Sequence, residues 1–459
     1  FGFSVDAKKD HIVYGAVGLG RQEGQFWRSD SNGEERQKRP TKKVGVTKDY
    51  TYMGYAVTSG DFKGDSDPEY AISVPRHKQA FGKVVLYDSD LNEYNALENG
   101  DMGSYFGHTL VTSDLNNDGY DDLMVGAPFF TDSFSTNGSL WELGKVFIYY
   151  NDRNGGFGYA DTTTGRDVGG RFGYAAAALG DINVDGFNDL AISAPFIDGG
   201  NRGKVFIYHG IGRNVRIPLT PVQVLESRQF GQVLVPFGCS LSSGVDIDSN
   251  SYPDLAVGAY RSQVAVVYRS RPSFTATMQV FHEPRLLDLD VLDHLLPDGR
   301  LTTRMSLNVC FSFVGLGLPK SIVIGLNITL DAARSQTPRM AFMKSRSATL
   351  QSTIVASTES TMYCVPHLIY VQPSIEEKQT AISVIATYAY LEDEQAKWTP
   401  DGYLIPVLSR WAATRNAFSI PLKRTCANDT CFPNLVISPK AETDYLVAGG
   451  RGGAFIRGG

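Results

Sequence analysis

The sequence predicts an all-β protein in which a β-propeller of repeated small sheets is followed by an immunoglobulin-like β-sandwich. Three observations lead to this prediction. Glycine and aromatic residues are abundant, with 47 Gly, 23 Tyr and 25 Phe among 459 residues, which favours strands and turns over helices. A marked motif recurs at intervals of roughly 50 to 65 residues in the first part of the chain. Apolar and polar residues alternate in the part that follows, from about residue 272.

Each repeat begins with an aromatic residue, or once with methionine, followed by glycine. The five openings are Phe1-Gly2, Met53-Gly54, Phe106-Gly107, Phe172-Gly173 and Phe237-Gly238. A repeat of this length suits the four-stranded sheet that forms one blade of a propeller. The sequence therefore predicts five blades within residues 1–270.

The elements within a repeat follow a fixed order. A short strand after the glycine leads into an acidic loop, and two apolar strands follow, the second being a run such as the VFIY after Gly144-Lys145. Runs this short and apolar are typical of strands buried between stacked sheets. The pairs Ala127-Pro128 and Ala194-Pro195 end the strands before them, because proline cannot donate a hydrogen bond to a neighbouring strand. The pattern predicts hairpins rather than helices.

The acidic loop at residues 114–123 places oxygen atoms at alternate positions. Asp114, Asn116, Asp118 and Asp122 occupy positions 1, 3, 5 and 9, and the main-chain carbonyl of Tyr120 is at position 7. Three carboxylates within about 4 Å of one another would repel by roughly 4 kcal/mol per pair at an effective dielectric near 20. Ligands that are all oxygen favour calcium over zinc or softer metals. The loop therefore predicts a calcium site.

Two more loops share this spacing. Their ligand positions are Asp181, Asn183, Asp185, the carbonyl of Phe187 and Asp189 in one loop, and Asp246, Asp248, Asn250, the carbonyl of Tyr252 and Asp254 in the other. An EF-hand would require a bidentate Glu at position 12 and a helix on each side, whereas position 12 is Val125, Ile192 or Val257. We expect three calcium sites on hairpins, against the alternative of polar hairpin tips without metal.

The fourth loop departs from the pattern. It offers Asp61, Asp65, Asp67 and Glu69, but Lys63 stands at position 3. Either the lysine ammonium replaces the ion, or the side chain extends into solvent and water fills the vacant place. The sequence leaves calcium at this loop undecided.

Cysteines and glycosylation sequons indicate an oxidising, extracellular setting. Of the five cysteines, we expect disulfides between Cys310 and Cys364 and between Cys426 and Cys431, with Cys239 as a buried free thiol. Sequons predict glycans at Asn137, Asn327 and Asn428. A net charge of −6 without a basic stripe argues against a nucleic-acid partner.

The region of residues 271–425 predicts a rigid β-sandwich without catalytic groups. Three segments, 305–313, 322–330 and 382–390, place apolar residues at every second position, so each strand buries one face against a second sheet. Histidines are scattered, and no GxSxG nucleophile motif is present. We therefore expect a protein that is not an enzyme.

The repeats resemble the FG-GAP repeats of the integrin α-subunit β-propeller, with aromatic-glycine openings, VGAP or ISAP strand ends and DxDxDGxxD-like loops. The VYRSRP run at residues 267–272 resembles the exit into the integrin thigh domain, and residues 426–459 resemble the knee and an incomplete first calf domain. The family propeller has seven blades, so the resemblance implies that the five visible here are blades three to seven.

The resemblance also implies a function. It implies the extracellular part of a cell-surface, single-pass α subunit that pairs with an integrin β subunit and binds extracellular-matrix ligand, with a magnesium-class ion carried by the β subunit. The membrane span is expected outside this sequence. Asp132 and Asp10 align with aspartates that bind a ligand arginine in some members of the family. A carboxylate at these positions would make charge-assisted hydrogen bonds to a guanidinium, which favours an Arg-Gly-Asp-type ligand. The alternatives are a laminin-binding α subunit, a secreted FG-GAP calcium-binding module, or an accessory domain of an enzyme.

Overall fold

The structure is a computed structural model. It describes residues 2–30, 35–38, 50–133, 140–158, 160–200, 202–210, 220–229, 231–373, 375, 380–399, 403–410, 412–423, 448–449 and 453–454. Strands dominate these residues, and the helices are short turns. They are α1 (Leu19–Gln22), α2 (His77–Ala80) and α3 (Glu392–Gln395), with 3-10 turns at Ile197–Gly200, Tyr260–Ser262 and Ala332–Arg334.

The first part of the chain forms five small antiparallel sheets. Their strands are β1 (Ser4–Ala7), β2 (His11–Ala16), β3 (Gln25–Asp30), β4 (Glu35–Lys38), β5 (Val57–Gly60), β6 (Glu69–Val74), β7 (Lys83–Tyr87), β8 (Glu93–Leu97), β9 (Thr109–Ser113), β10 (Asp122–Ala127), β11 (Lys145–Tyr149), β12 (Asp161–Thr164), β13 (Ala176–Gly180), β14 (Asp189–Ala194), β15 (Lys204–Tyr208), β16 (Gln223–Glu226), β17 (Ser240–Val245), β18 (Asp254–Ala259) and β19 (Val264–Tyr268). Four of the sheets have four strands and the last has three, and within each sheet neighbours in sequence pair with one another. The first strands of successive sheets also contact one another, from β1 through β5, β9 and β13 to β17. The blade prediction is confirmed.

Aromatic side chains at the blade openings pack between sheets. Phe106 is fully buried and contacts Phe147 of β11, with 5.0 Å between ring centroids, and Phe172 contacts Phe206 of β15 at 5.6 Å. A Phe→Ala change at such a site removes buried apolar surface and leaves a cavity. The four openings that the structure describes, at Met53, Phe106, Phe172 and Phe237, are buried core residues of the blades.

The first and last sheets expose apolar residues on their first strands, unlike two of the middle sheets. Strands β5 and β9 are almost entirely buried, whereas Val5 of β1 is 58% exposed and Val245 of β17 is 64% exposed. Exposed apolar side chains on the first strands of both end sheets leave surface that another element can cover.

The second part of the chain is a two-sheet sandwich. Its strands are β20 (Ser273–Glu283), β21 (His294–Leu295), β22 (Leu301–Thr302), β23 (Arg304–Gly315), β24 (Ser321–Leu330), β25 (Met340–Phe342), β26 (Thr349–Ser357), β27 (Tyr363–Val371), β28 (Ile382–Tyr390), β29 (Val407–Leu408) and β30 (Arg415–Ile420); β31 (Ala448–Gly449) and β32 (Gly453–Ala454) follow. One sheet has the order β25-β27-β23-β20-β29 and the other β26-β24-β28-β30. The alternating residues of β23, β24 and β28 face each other in one core. This confirms the predicted sandwich.

The structure describes some of the predicted disulfide and glycosylation sites. Cys310 and Cys364 form a disulfide between the paired strands β23 and β27, as expected. Cys239 is a free thiol, but it is half-buried rather than buried, because it lies beside the exposed strand β17 and contacts the Gly258 carbonyl at 3.3 Å. Asn327 is exposed on β24, so a glycan has room there. The expected bridge of Cys426 and Cys431 and the sequons at Asn137 and Asn428 lie outside the described residues.

Candidate functional site

The acidic loops all occupy the same turn of the blade. Residues 61–69, 114–122, 181–189 and 246–254 each join the first strand of a sheet to its second strand. Because neighbouring sheets run in the same sense, all four loops lie along one rim of the propeller. The valine or isoleucine at position 12 lies inside strand β10, β14 or β18, which excludes an EF-hand helix.

The aspartate at position 1 organises the backbone of every loop. Its carboxylate accepts hydrogen bonds from the main-chain N–H groups of positions 5 and 6. In the loop at Asp114 these come from Asp118 (3.1 Å) and Gly119 (2.9 Å), and in the loop at Asp61 they come from Asp65 (3.2 Å) and Ser66 (2.9 Å). The loops at Asp181 and Asp246 repeat the arrangement. The four loops therefore share one backbone shape.

The sharp turn at position 6 requires a positive φ, which glycine adopts without strain. Gly119 and Gly186 have φ of 89° and 92°. Ser66 and Ser251 adopt 69° and 75° at the same position, where a side chain is strained. The hydrogen bonds to position 1 hold these two serines in place.

The aspartate at position 9 is the most buried ligand candidate. Asp122, Asp189 and Asp254 are at most 2% exposed. One oxygen of each accepts the N–H of position 2, from Leu115, Ile182 or Ile247 at 2.9 to 3.1 Å. The other oxygen accepts an N–H from just after the third strand, from Asn151, Gly210 or Ser270 at 2.8 to 2.9 Å. The rest of each oxygen's acceptor capacity remains for a cation.

Two of these carboxyls have raised pKa values, because they are buried among other carboxylates. Burial, with the charges of Asp118 and Asp114 adding to the effect, raises the pKa of Asp122 to about 7. Burial raises the pKa of Asp189 to about 8, with Asp185 and Asp181 adding to the effect. A divalent cation among these groups would restore the ionised forms.

Two further observations test whether the donor sets fit a cation. The side-chain oxygen of Asn116, at position 3, is buried and has no hydrogen-bond partner among the described residues. Carboxylate oxygens of Asp246, Asp248 and Asp254 lie within 4.8 Å of one another. A hard divalent cation with oxygen ligands fits both features. The carbonyl ligands expected from Tyr120, Phe187 and Tyr252 remain predictions.

Two arginines that the sequence pattern did not single out also touch the loops. Arg153 Nε lies 3.2 Å from Asp118 Oδ2, and Arg269 Nη1 lies 3.5 Å from Asp248 Oδ2. Both side chains are about half exposed, so these ion pairs stand on the solvent side of the loops. Sequence spacing gave no signal for them, because each arginine comes from a later turn.

The last acidic loop also joins the propeller to the sandwich. The Tyr252 side chain is fully buried. Its hydroxyl lies 3.1 Å from the Ser273 carbonyl and 3.1 Å from the Leu316 carbonyl, and accepts the N–H groups of the same two residues at 3.1 and 3.3 Å. Tyr252, whose main-chain carbonyl is a predicted calcium ligand, therefore also anchors β20 and β23 through its side chain.

The opposite end of the blades carries an aromatic cluster, formed by Tyr55, Tyr105, His108, Phe129 and Tyr174. These half-buried side chains come from three successive blades. The His108 ring is 5.2 Å from Tyr55, 4.7 Å from Tyr174 and 6.1 Å from Phe129 between centroids. Burial lowers the pKa of His108 to about 4, so the ring is neutral at physiological pH.

Asp132 lies at the same end as the aromatic cluster. It follows β10 and the cluster residue Phe129, and its main chain exchanges two 3.0 Å hydrogen bonds with Leu140. The bridge holds the main chain of the half-buried Asp132 beside that of Leu140.

The comparisons with known proteins agree with the geometry. The family model "Integrin alpha Ig-like domain 1" matches residues 270–424, and the model "FG-GAP repeat" matches residues 106–143 and 172–208. Integrin alpha-8 of Gallus gallus is 34% identical over 424 residues, which are 89% of this chain and 40% of that protein. Integrin alpha-PS2 of Drosophila melanogaster is 33% identical, over 90% of this chain and 30% of that protein. The chain belongs to the integrin α-subunit family.

This integrin α chain spans about two fifths or less of the length of these relatives. Membership of a receptor-subunit family, rather than an enzyme family, agrees with the expectation that the protein is not an enzyme. No helix in the part of the chain that the structure describes is long and apolar enough to cross a membrane.

The sequence predicts that Asp10 and Asp132 both bind ligand, but the structure places them at opposite ends of the blades. Asp10 lies in the turn between β1 and β2, which is the turn that carries the acidic loops in the other blades. Asp6, at the end of β1, accepts hydrogen bonds of 2.6 Å from the N–H and hydroxyl of Ser59, beside the first acidic loop. Asp10 therefore lies at the acidic-loop rim, where it pairs with His11 Nδ1 at 3.0 Å.

Proposed function

We propose that this integrin α chain is part of a cell-surface adhesion receptor that pairs with an integrin β subunit and binds extracellular-matrix ligand. The observation that carries the proposal is the aromatic cluster beside Asp132, at the blade ends opposite the acidic loops. Half-buried tyrosine and phenylalanine side chains with a nearby arginine are typical of the centre of a protein interface. Arg171 supplies that cation, 4.9 Å above the Phe129 ring.

The same proposal assigns calcium to three acidic loops, those at Asp114, Asp181 and Asp246. Preformed carboxylate and amide oxygens, the unpartnered Asn116 oxygen and the raised pKa values of Asp122 and Asp189 support it. The ions act structurally, because they neutralise buried carboxylates at one rim and leave the other rim free for recognition. A magnesium-class ion for the ligand carboxylate belongs to the β subunit, as the family implies.

We also propose that two more blades complete the propeller, so that the five described here are blades three to seven. The exposed Val5 of β1 and Val245 of β17 support this proposal. Both lie on the first strands of the two end sheets, whereas the corresponding strands β5 and β9 of two middle sheets are almost entirely buried. Further blades would cover this apolar surface.

We propose an Arg-Gly-Asp-type ligand, whose arginine pairs with Asp132. In the secreted heterodimer, Asp132→Ala is expected to weaken binding of an Arg-Gly-Asp peptide by about 10- to 150-fold, because a charge-assisted hydrogen bond contributes about 1.5–3 kcal/mol. Surface plasmon resonance at fixed calcium and magnesium concentrations measures the change.

Asp10→Ala is the matched control, since it removes an exposed loop aspartate at the other rim. We expect this variant to bind the peptide as the unchanged protein does. Equal affinity of Asp132→Ala and the unchanged heterodimer would contradict the arginine contact. Binding to laminin but not to the Arg-Gly-Asp peptide would replace the ligand assignment while leaving the receptor proposal intact.

A further inference from the structure

The first acidic loop has the backbone of a cation site but a different charge balance. Asp61, Asp65 and Glu69 place oxygen atoms within 4.8 Å of one another. Position 3, which supplies an amide or carboxylate oxygen in the other loops, is Lys63. A lysine ammonium has three donors and no acceptor, so it cannot ligate a metal. The residues at this loop therefore do not fit the calcium site that its backbone suggests.

The lysine ammonium is turned towards the acidic groups of the loop, while 35% of the side chain is exposed. Lys63 Nζ lies 3.4 Å from Glu69 Oε1, and the Glu69 side chain is only 1% exposed. The ammonium also stands 5.0 Å above the Tyr94 ring, where the ring face attracts a cation. Of the two alternatives that the sequence left open, the structure has the one in which the ammonium occupies the loop.

Glu69 differs from its counterparts at the oxygen that faces Lys63. In the other three loops, both oxygens of the position-9 aspartate accept main-chain N–H groups. Glu69 Oε2 accepts the N–H groups of Phe62 and Lys63, at 2.9 and 3.2 Å, but Oε1 has no hydrogen-bond partner among the described residues. The positive charge of Lys63 therefore balances the negative charge on this buried oxygen.

The neighbouring blade holds the lysine in place. The Gly155 backbone approaches so closely that a Cβ atom there would lie 2.9 Å from Lys63 Cγ. Asn151 of the same turn donates a 2.7 Å hydrogen bond to the Phe62 carbonyl, and Phe157 packs on the Phe62 ring at 5.2 Å. The lysine stem thus lies in a fitted slot between two blades.

We infer that Lys63 is a built-in cation that replaces calcium in the first loop, so this blade is stabilised without metal while the next three depend on it. The inference uses the proposed calcium sites as its reference for a loaded loop. As a consequence, the four acidic loops of the rim differ in how much their stability depends on calcium. The second, third and fourth of these loops lose their cation at low calcium, and the first keeps its own.

The inference is tested by the number of calcium ions that the secreted heterodimer binds. The difference in this number between a variant and the unchanged protein reports on the first loop alone, because every other cation site is the same in both. Lys63→Asn supplies the amide oxygen found at Asn116 and Asn183, and it is expected to bind one calcium ion more than the unchanged protein. Asp65→Ala, an exposed change in the same loop, is expected to leave the calcium count unchanged. Equilibrium dialysis with radioactive calcium gives the counts.

Thermal unfolding supplies a second readout. Lys63→Asn is expected to unfold at a lower temperature than the unchanged protein in chelator and to regain the difference when calcium is added. Lys63→Met keeps the length but removes the charge and supplies no oxygen, so its loss of thermal stability is expected with and without calcium.

Two outcomes would overturn the inference: Lys63→Asn gaining no calcium, or Asp65→Ala losing one ion. Failure of the proposed calcium sites would look different. In that case Asp118→Ala and Asp185→Ala would leave the calcium count of the unchanged protein as it is.

Discussion

Chelation of calcium is expected to lower the free energy of unfolding of the repeat region by several kcal/mol. At free calcium 100-fold above the dissociation constant, each site contributes about 2.7 kcal/mol, so three sites contribute about 8 kcal/mol. The physical reason is the buried position-9 carboxylate, whose charge in Asp122, Asp189 or Asp254 is left without a counter-ion when the metal leaves. Thermal unfolding of the chain in calcium and in chelator measures the difference.

A variant that loses one calcium site is expected to lose that site's part of the calcium-dependent stability. Asp185→Ala removes the position-5 ligand of one loop, so the rise in unfolding temperature on adding calcium should fall by roughly one third. Asp90→Asn is the control, because this exposed aspartate lies in a turn outside the acidic loops, and its response to calcium should be unchanged. A stability that is the same in calcium and in chelator would contradict the metal assignment.

Breaking the buried ion pair of Asp331 and Arg339 is expected to destabilise the sandwich by about 3–5 kcal/mol. Arg339 Nε and Nη2 donate to the two Asp331 oxygens, both at 2.8 Å, and Nη1 donates to the Thr380 carbonyl at 2.8 Å. The Asp331 side chain is fully buried, so Asp331→Ala leaves the guanidinium without its counter-ion. Urea unfolding of the single and double variants measures the loss and the coupling.

The pH dependence of the same pair has a definite sign. Burial alone would raise the pKa of Asp331, but the hydrogen bonds and charge of Arg339 lower it below the ordinary value. The contribution is therefore complete above the unfolded-state value of about 3.9, and it is lost as the pH falls from there through the lowered folded-state value.

An exposed pair provides the contrast. Arg300 and Asp298 also form a short ion pair, at 2.6 Å, but both side chains are about half exposed. Asp298→Ala should leave the unfolding curve almost unchanged, because solvent screens such pairs. If Asp331→Ala were as mild as Asp298→Ala, the buried pair would not have the assigned role.

Local patterns in the sequence predicted the architecture because each element carries its own signal. The alternation over residues 322–330 places Ile322, Ile324 and Leu326 in the sandwich core, where the structure has them. The oxygen spacing at Asp114 likewise predicted a hairpin turn, because the loop is held by hydrogen bonds within nine residues. Such features depend on residues that are close together in the chain, so they can be recognised in a single sequence.

Features assembled from distant segments could not be predicted in this way. In the aromatic cluster Tyr55 contacts Tyr105, and Tyr174 contacts His108. These contacts join three blades, and nothing in one repeat shows them. Asp10 was assigned by alignment, whereas the side of the blade on which it lies depends on where β1 ends. The slot for Lys63 depends on Gly155, which belongs to the next blade along the chain.

Hydrogen–deuterium exchange of the α chain, alone and paired with a β subunit, tests most directly whether the two rims have separate roles. We predict that adding calcium slows exchange in the acidic loops at 114–122 and 181–189, and that pairing slows exchange around His108 and residues 128–133. Slower exchange of the acidic loops on pairing, with no change around His108, would contradict the assignment of metal to one rim and recognition to the other.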